Sequence, residues 1–172
     1  MPIVAIVGAG PLGRWLALAA TRAGYTVFLE DVMPSNLHHA QEEIRAALGP
    51  EALPSVRFVS TIEDAVRQAD LVIDCVPDEL ESKLEILWLL DRMAPPRAVF
   101  ATPTMRLSIT DLASCTYRAD QCIAMEAEAS ALTRGASSTI VLRRAPATSE
   151  ATAALVSAFW SALGFAVEIR AE

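Results

Sequence analysis

The sequence is poor in the residues that build metal sites, disulfide frameworks and nucleic-acid surfaces. It holds three cysteines and two histidines in 172 residues. Cys75, Cys115 and Cys122 are odd in number and show no C-x-x-C spacing, which argues against a disulfide framework or a zinc site. They read as reduced, buried thiols of a cytoplasmic protein. His38 and His39 are adjacent, so on a helix they point about 100° apart and cannot serve one site. No metal is expected. Basic residues never run longer than Arg143-Arg144 and the net charge is −7, which excludes nucleic acid as a natural partner. No apolar run approaches the roughly 20 residues that a membrane span requires. No basic segment precedes the first apolar stretch, so no signal peptide is expected. Repeats, low-complexity segments and linkers are missing too, and residues 1–172 read as one domain.

What the chain does have is apolar surface. Hydrophobic residues make up 53% and the mean hydropathy is +0.35. A parallel sheet buried on both faces, with many helical alanines, accounts for much of this. An apolar face that meets another chain accounts for more, and a homodimer or a partner subunit is expected.

Chemistry enters at the N-terminus. An apolar, β-branched run over residues 3–7 stops at Gly8, and Gly10, Pro11, Leu12 and Gly13 lead into an apolar-periodic segment with Leu12, Trp15, Leu16, Ala19 and Ala23 on one face. Strand, G-x-G-x-x-G and helix in that order form the dinucleotide fingerprint. Gly8 permits the tight turn, Gly10 lets backbone approach a pyrophosphate, and Gly13 lets helix and strand pack closely. The helix N-terminus then faces the phosphates. Pro11 is tolerated because its missing N–H would have no helical partner at that position. A second strand over 26–30 delivers Asp31 at the distance, about 20 residues on, where the fingerprint places its ribose-binding acid. No arginine follows Asp31, so NAD is favoured over NADP.

Further along, residues 34–48 read as a helix with Leu37, Ala40, Ile44 and Leu48 on the buried stripe and Ser35 as its cap. A connector over 49–54 leads to a strand at 56–59. Thr61 with Asp64 makes a capping box. A fourth strand spans 71–76 and ends in Pro77-Asp78-Glu79 before a helix over 80–93. Strands follow at 98–102, 121–125, 139–142 and 165–169. A short helix opens at Ser108, and a final helix over 149–163 is capped by Thr148 or Ser149. Strands and helices in this alternation specify an α/β fold of Rossmann type: a doubly wound, mostly parallel sheet with helices on both faces. The carboxyl ends of the strands beside its switch point line the ligand crevice. Val76, Pro77 and Asp78 therefore belong beside the nicotinamide half of the cofactor, and Lys83, early in the next helix, can reach the same crevice.

These residues together resemble the NAD-binding domain of the 3-hydroxyacyl-CoA dehydrogenases, colinearly over nearly the whole chain. The matching segments are V-G-A-G-x-x-G (7–13), V-x-L-x-D (27–31), L-x-x-A-x-x-x-I (37–44), A-D-L-V-I-D-x-V-P-D-x-L-x-x-K (69–83), F-A-T-x-T-x-x-L-S-I-T (100–110), T-S-E (148–150) and L-G-x-x-V (163–167). The block over 69–83 is the specific one, since other β-hydroxyacid dehydrogenases share only the glycine loop. The resemblance implies that Asp78 and Lys83 contact the nicotinamide half of NAD.

The departures are equally specific. The family's T-N-T-S is Thr102-Pro103-Thr104-Met105 here, without its asparagine and active-site serine. The family's catalytic histidine opens an H-F-F-N-P motif; this chain reads Glu126-Ala127-Glu128-Ala129-Ser130. The glutamate that orients that histidine falls near Val141. The family's helical hairpin for CoA has no counterpart in the short link over 48–56, and its helical C-terminal domain would begin where this sequence stops. Oxidation of a secondary alcohol needs a base suited to neutral pH, usually histidine. Two readings remain. One is an NAD(H)-binding protein that has lost hydroxyacyl-CoA chemistry, without catalytic residues of its own or dependent on a partner. The other is an active oxidoreductase on a small hydroxy or keto substrate, such as an L-3-hydroxyacyl compound, with Glu126 or Lys83 as base. Glu126 and Glu128, alternating as on a strand, are expected on one face.

Overall fold

Short strands of four to six residues cannot stand alone, and the chain stacks eight of them into one sheet whose central members are buried on both sides. The computed structural model describes residues 2–172. In chain order the elements are β1 (Ile3–Val7), α1 (Pro11–Arg22), β2 (Thr26–Glu30), α2 (Pro34–Leu48), β3 (Val56–Val59), α3 (Ile62–Val66), β4 (Leu71–Asp74) and α4 (Leu80–Met93). They continue with β5 (Val99–Pro103), α5 (Ile109–Ala113), β6 (Cys122–Glu126), α6 (Ala129–Thr133), β7 (Thr139–Arg144), α7 (Glu150–Ala162) and β8 (Ala166–Ala171).

The sheet order is β3-β2-β1-β4-β5-β6-β7-β8. Strands β1 to β6 run parallel, β7 turns antiparallel to β6, and β8 runs parallel to β7. The order reverses between β1 and β4, which makes that gap the switch point of the expected doubly wound fold. Val7 pairs with Glu30 on one side and Asp74 on the other, so three strands end level there.

Two cores flank the sheet. Helices α1, α2, α6 and α7 cover one face, where Leu16, Ile44, Leu132 and Trp160 meet Ile6, Leu29 and Ile73. Helices α3, α4 and α5 cover the other, where Val66, Leu87 and Leu112 meet Ala5, Val72 and Phe100. Burial on both sides explains why β1 and β4 read as unbroken apolar runs. An aromatic stack closes the first core: the Trp15 and Trp160 ring centroids are 6.3 Å apart and nearly parallel, with Phe165 edge-on to both.

Local signals placed several element ends. Thr61 caps α3 by accepting from Asp64 N at 3.2 Å. The Asp64 carboxylate accepts from the Thr61 hydroxyl at 2.8 Å and not from its backbone N–H, so the expected box is only half formed. Ser149, not Thr148, caps α7 by accepting from Thr152 N. Three expectations are corrected, and one is filled in. Met33 rather than Ser35 occupies the N-cap of α2, because Pro34 takes the first helical position, where its lack of N–H costs nothing. The connector expected before β3 is there and takes the form of a 3₁₀ turn, Pro50–Ser55. Strand β4 stops at Asp74, two residues early, where its neighbour β1 also ends. Glu128 is not on a strand beside Glu126; it is the N-cap of α6, so the two acids do not share a strand face. No helix among the described residues is long and apolar enough to cross a membrane.

Candidate NAD site at the switch point

Two glycines of the loop, Gly8 and Gly13, stand where a side chain is not tolerated. Gly8 has φ +100°, and its N–H donates to Glu30 O at 2.8 Å, tying the turn to β2. A Cβ on Gly13 would lie 1.8 Å from Gly8 O, so only glycine lets α1 rise this close to the loop. A Cβ on Gly10 would meet nothing within 4 Å, which leaves that backbone open toward the crevice. Gly10 is also the N-cap of α1, with Pro11 and Leu12 following. No side chain caps the helix and its first turn holds no acid. The amides of that turn and the positive dipole end are thus left for an anionic ligand.

Asp31 stands at the end of β2 and is held in place from three sides. One carboxylate oxygen accepts from Ala9 N at 2.8 Å and Asn36 Nδ2 at 3.2 Å; the other accepts from Met33 N at 2.8 Å. The acid therefore joins the glycine loop to the start of α2. Glu30, just before it, is buried, and burial together with the Asp31 charge pushes its carboxyl above the usual range. Arg14 reaches back over the loop, donating to Ala9 O at 3.2 Å while paired with Glu43 at 3.2 Å.

Across the switch point, Cys75 packs against Gly8 and the chain then runs through Val76, Pro77 and Asp78. Val76 and Pro77 open onto a hollow of about 290 Å³ shared with Ile62 and Ile86. Asp78 accepts from Met105 N at 3.0 Å, clamping the loop after β4 to the loop after β5. Lys83 does not lie free in the crevice. It is 0% exposed, its Nζ 2.6 Å from Asp74 Oδ1 and 3.2 Å from Asp74 O. Burial pushes the Asp74 carboxyl up, against the opposing pull of the Lys83 ammonium. The Thr102 hydroxyl lies beside the same carboxylate and favours its charge, yet neither it nor Asp74 Oδ2 has a hydrogen-bond partner of normal geometry.

Beyond β5 most polar groups satisfy one another, although Arg143 Nε has an ion-pair partner and no hydrogen bond. Glu126, the last residue of β6, pairs with Arg143 Nε at 3.3 Å, and the sheet register sets Val141 directly opposite it. Arg143 donates onward to Thr104 O at 3.1 Å and Leu107 O at 3.2 Å, and pairs with Glu172 at 3.0 Å. The Glu172 carboxylate accepts from the Ser108 hydroxyl, Ile109 N and Thr110 N, each at 2.8 Å. Partial burial opposes its charge, but these donors outweigh burial and hold it at about 2. Met105 stands exposed at the rim, and His38 and His39 are exposed on α2, away from these groups.

The structure sets the loop, Asp31 and Asp78 around the switch point, and it adds Asp74, Thr102, Arg143 and Glu172, which sequence reasoning passed over. Asp74 had a signal: an acid inside an otherwise apolar, doubly buried strand must have a partner. Arg143 and Glu172 had none, since their partners depend on strand register.

Comparison with known proteins gives the same picture. The model of the 3-hydroxyacyl-CoA dehydrogenase NAD-binding domain matches residues 3–165. Among curated relatives, a probable 3-hydroxybutyryl-CoA dehydrogenase of Bacillus subtilis is 29% identical over 71% of this chain and 47% of its own length. The mitochondrial hydroxyacyl-coenzyme A dehydrogenase of Sus scrofa is 31% identical over 69% of this chain and 43% of its own. This chain spans about half the length of such relatives or less. Among solved structures, (S)-3-hydroxybutyryl-CoA dehydrogenase from Ralstonia eutropha superposes with TM-score 0.90 at 25% identity, covering 100% of this chain and 64% of that one.

Proposed function

We propose, from the premise that this chain belongs to the family of 3-hydroxyacyl-CoA dehydrogenase NAD-binding domains, that it works as an NAD(H)-holding module whose own residues do not carry hydroxyacyl-CoA chemistry. NAD is its cofactor, and the loop fits that group: an open backbone at Gly10, an uncapped helix above it and a pinned acid at Asp31. On this reading Gly8, Gly10, Pro11, Leu12 and Gly13 cradle the pyrophosphate. Asp31 takes the adenosine ribose, and Val76, Pro77 and Asp78 line the nicotinamide half. Lys83 supports that half through Asp74.

The observation that carries the reading is Glu126. It stands at the strand end where the family resemblance expects a catalytic histidine, and its carboxylate is engaged by Arg143. Val141, opposite it, supplies no carboxylate to orient a base. Such a module acts as a sensor, a regulator or a subunit that self-associates or joins a partner. Cytoplasmic placement agrees with three unpaired cysteines, all with thiols pushed up by burial.

Calorimetry with NADH followed by an assay with 3-hydroxybutyryl-CoA tests this. Binding without turnover is expected. Turnover would replace the reading with the active one, and no binding at millimolar NADH would remove the module itself. The active reading, an oxidoreductase on a small hydroxy or keto substrate, draws support from relatives named for small substrates, such as an L-carnitine dehydrogenase of Burkholderia mallei, 33% identical.

A further inference from the structure

We propose that the outer face of α4, with Tyr117 beside it, is a self-complementary surface on which two copies of this chain pair antiparallel about a two-fold axis near Trp88. This rests on the self-association proposed above and names its face.

The first observation is where the exposed apolar side chains stand. Of the eight large ones, Val32 and Met33 follow β2, Met105 follows β5 and Ile169 lies on β8, whereas Leu80, Trp88 and Met93 sit on α4 and Tyr117 adjoins it. Trp15 and Trp160 stack on each other inside, but Trp88 is 50% exposed, with the Arg92 guanidinium 4.6 Å above its ring. Tyr117 is wholly exposed yet not loosely held. Its N–H donates to Asp91 at 3.0 Å, and the next residue, Arg118, donates to Asp91 at 2.8 Å and to Pro95 O at 2.7 Å. A projecting tyrosine on a pinned backbone loses little freedom when it docks. Trp, Tyr and Arg are the side chains most enriched among binding hot spots. Between Trp88 and Tyr117 lies a cavity of about 300 Å³ floored by Cys115 and Thr116, which can receive an aromatic ring from the facing copy.

The second observation selects the occupant. Glu81, Glu85, Trp88 and Arg92 are exposed at spacings of four, three and four residues, so they form one stripe along α4. The acids lie toward its start and the arginine toward its end. The point midway between Glu85 and Arg92 falls at Trp88 and Leu89. A two-fold axis there sets Glu85 against the partner's Arg92 twice and brings the two Trp88 rings together. A parallel pairing would instead face acid with acid. The acidic stripe and the net charge of −7 disfavour anionic partners such as nucleic acid or an anionic lipid surface. At 14 residues α4 is about 21 Å long, so the face is a small one among stable interfaces.

Sedimentation velocity on the full chain between about 1 and 100 μM tests this. The wild type is expected to pass from monomer to dimer, and Trp88→Glu to stay monomeric with an unchanged far-UV spectrum and melting curve. Glu85→Arg and Arg92→Glu each place like charges in both contacts and should be monomeric alone. Mixed in equal amounts they restore both contacts and should pair again. A wild type that stays monomeric overturns this proposal together with self-association. A dimer that survives Trp88→Glu overturns the face and leaves self-association standing. Folded single variants that fail to pair on mixing overturn the antiparallel register.

Discussion

The two halves of the crevice treat their polar groups in opposite ways. On the β1–β2 side the loop presents backbone: an uncapped α1, an open Gly10, and a single acid, Asp31, whose bonds hold the loop in shape. On the β4–β7 side most charged side chains are spent on each other, although Asp74 Oδ2, the Thr102 hydroxyl and Arg143 Nε keep no hydrogen-bond partner. Lys83 holds Asp74, Asp78 holds Met105 N, and Arg143 ties Glu126 to Glu172. A surface that leaves its donors unpaired is prepared for a ligand, because a ligand then satisfies groups that the protein alone does not. A surface that has paired them is prepared for rigidity. The first half reads as a binding site and the second as a frame.

The largest test of that contrast is Lys83→Met. Removing the ammonium leaves the Asp74 carboxylate buried and alone, and urea unfolding is expected to show a loss of about 3–5 kcal/mol. Combining it with Asp74→Leu should recover most of that loss, since an apolar pair of similar volume needs no partner. A single variant of unchanged stability would mean that the pair is not the frame described here.

Gly13→Ala acts on the other half. Its Cβ would clash with Gly8 O at 1.8 Å, so the loop must open. A stability loss of about 1–3 kcal/mol is expected, with binding weaker by at least about tenfold. ADP-ribose and NADH should suffer equally by calorimetry, because the damage lies at the diphosphate. A selective loss of NADH would blur the division between the halves.

The smallest effect belongs to Glu172. Its folded value of about 2 lies below the ordinary carboxylate value, so its contribution is full above about pH 4.5 and fades as pH falls toward 2. Screening by solvent keeps it under about 1 kcal/mol. Melting curves from pH 5 to pH 2 should fall less steeply for Glu172→Gln than for the wild type, and parallel curves would show the latch to be idle.

Much of the fold was legible because its signals are local. The apolar run of β1, the glycines after it and the Thr61 cap each act within a few residues, and each stands where the sequence put it. The same locality misled at β4, whose apolar run continues past the point where its neighbours stop pairing. It also misled at Glu128, where alternation with Glu126 looked like strand but the chain turns into α6. For Lys83 the helix was foreseen, but not that its side chain points inward to Asp74.

By itself, then, the sequence determined the glycine loop proposed as the cofactor cradle: a tight turn, a close helix and an acid at the end of the next strand are encoded by spacing along about 30 residues. Tertiary structure alone decided which charges meet at the other end of the crevice. Glu126 and Arg143 lie on antiparallel neighbours, and Ser108 and Glu172 come together across 64 residues. Sheet order and register fix those pairings, and no local pattern carries them.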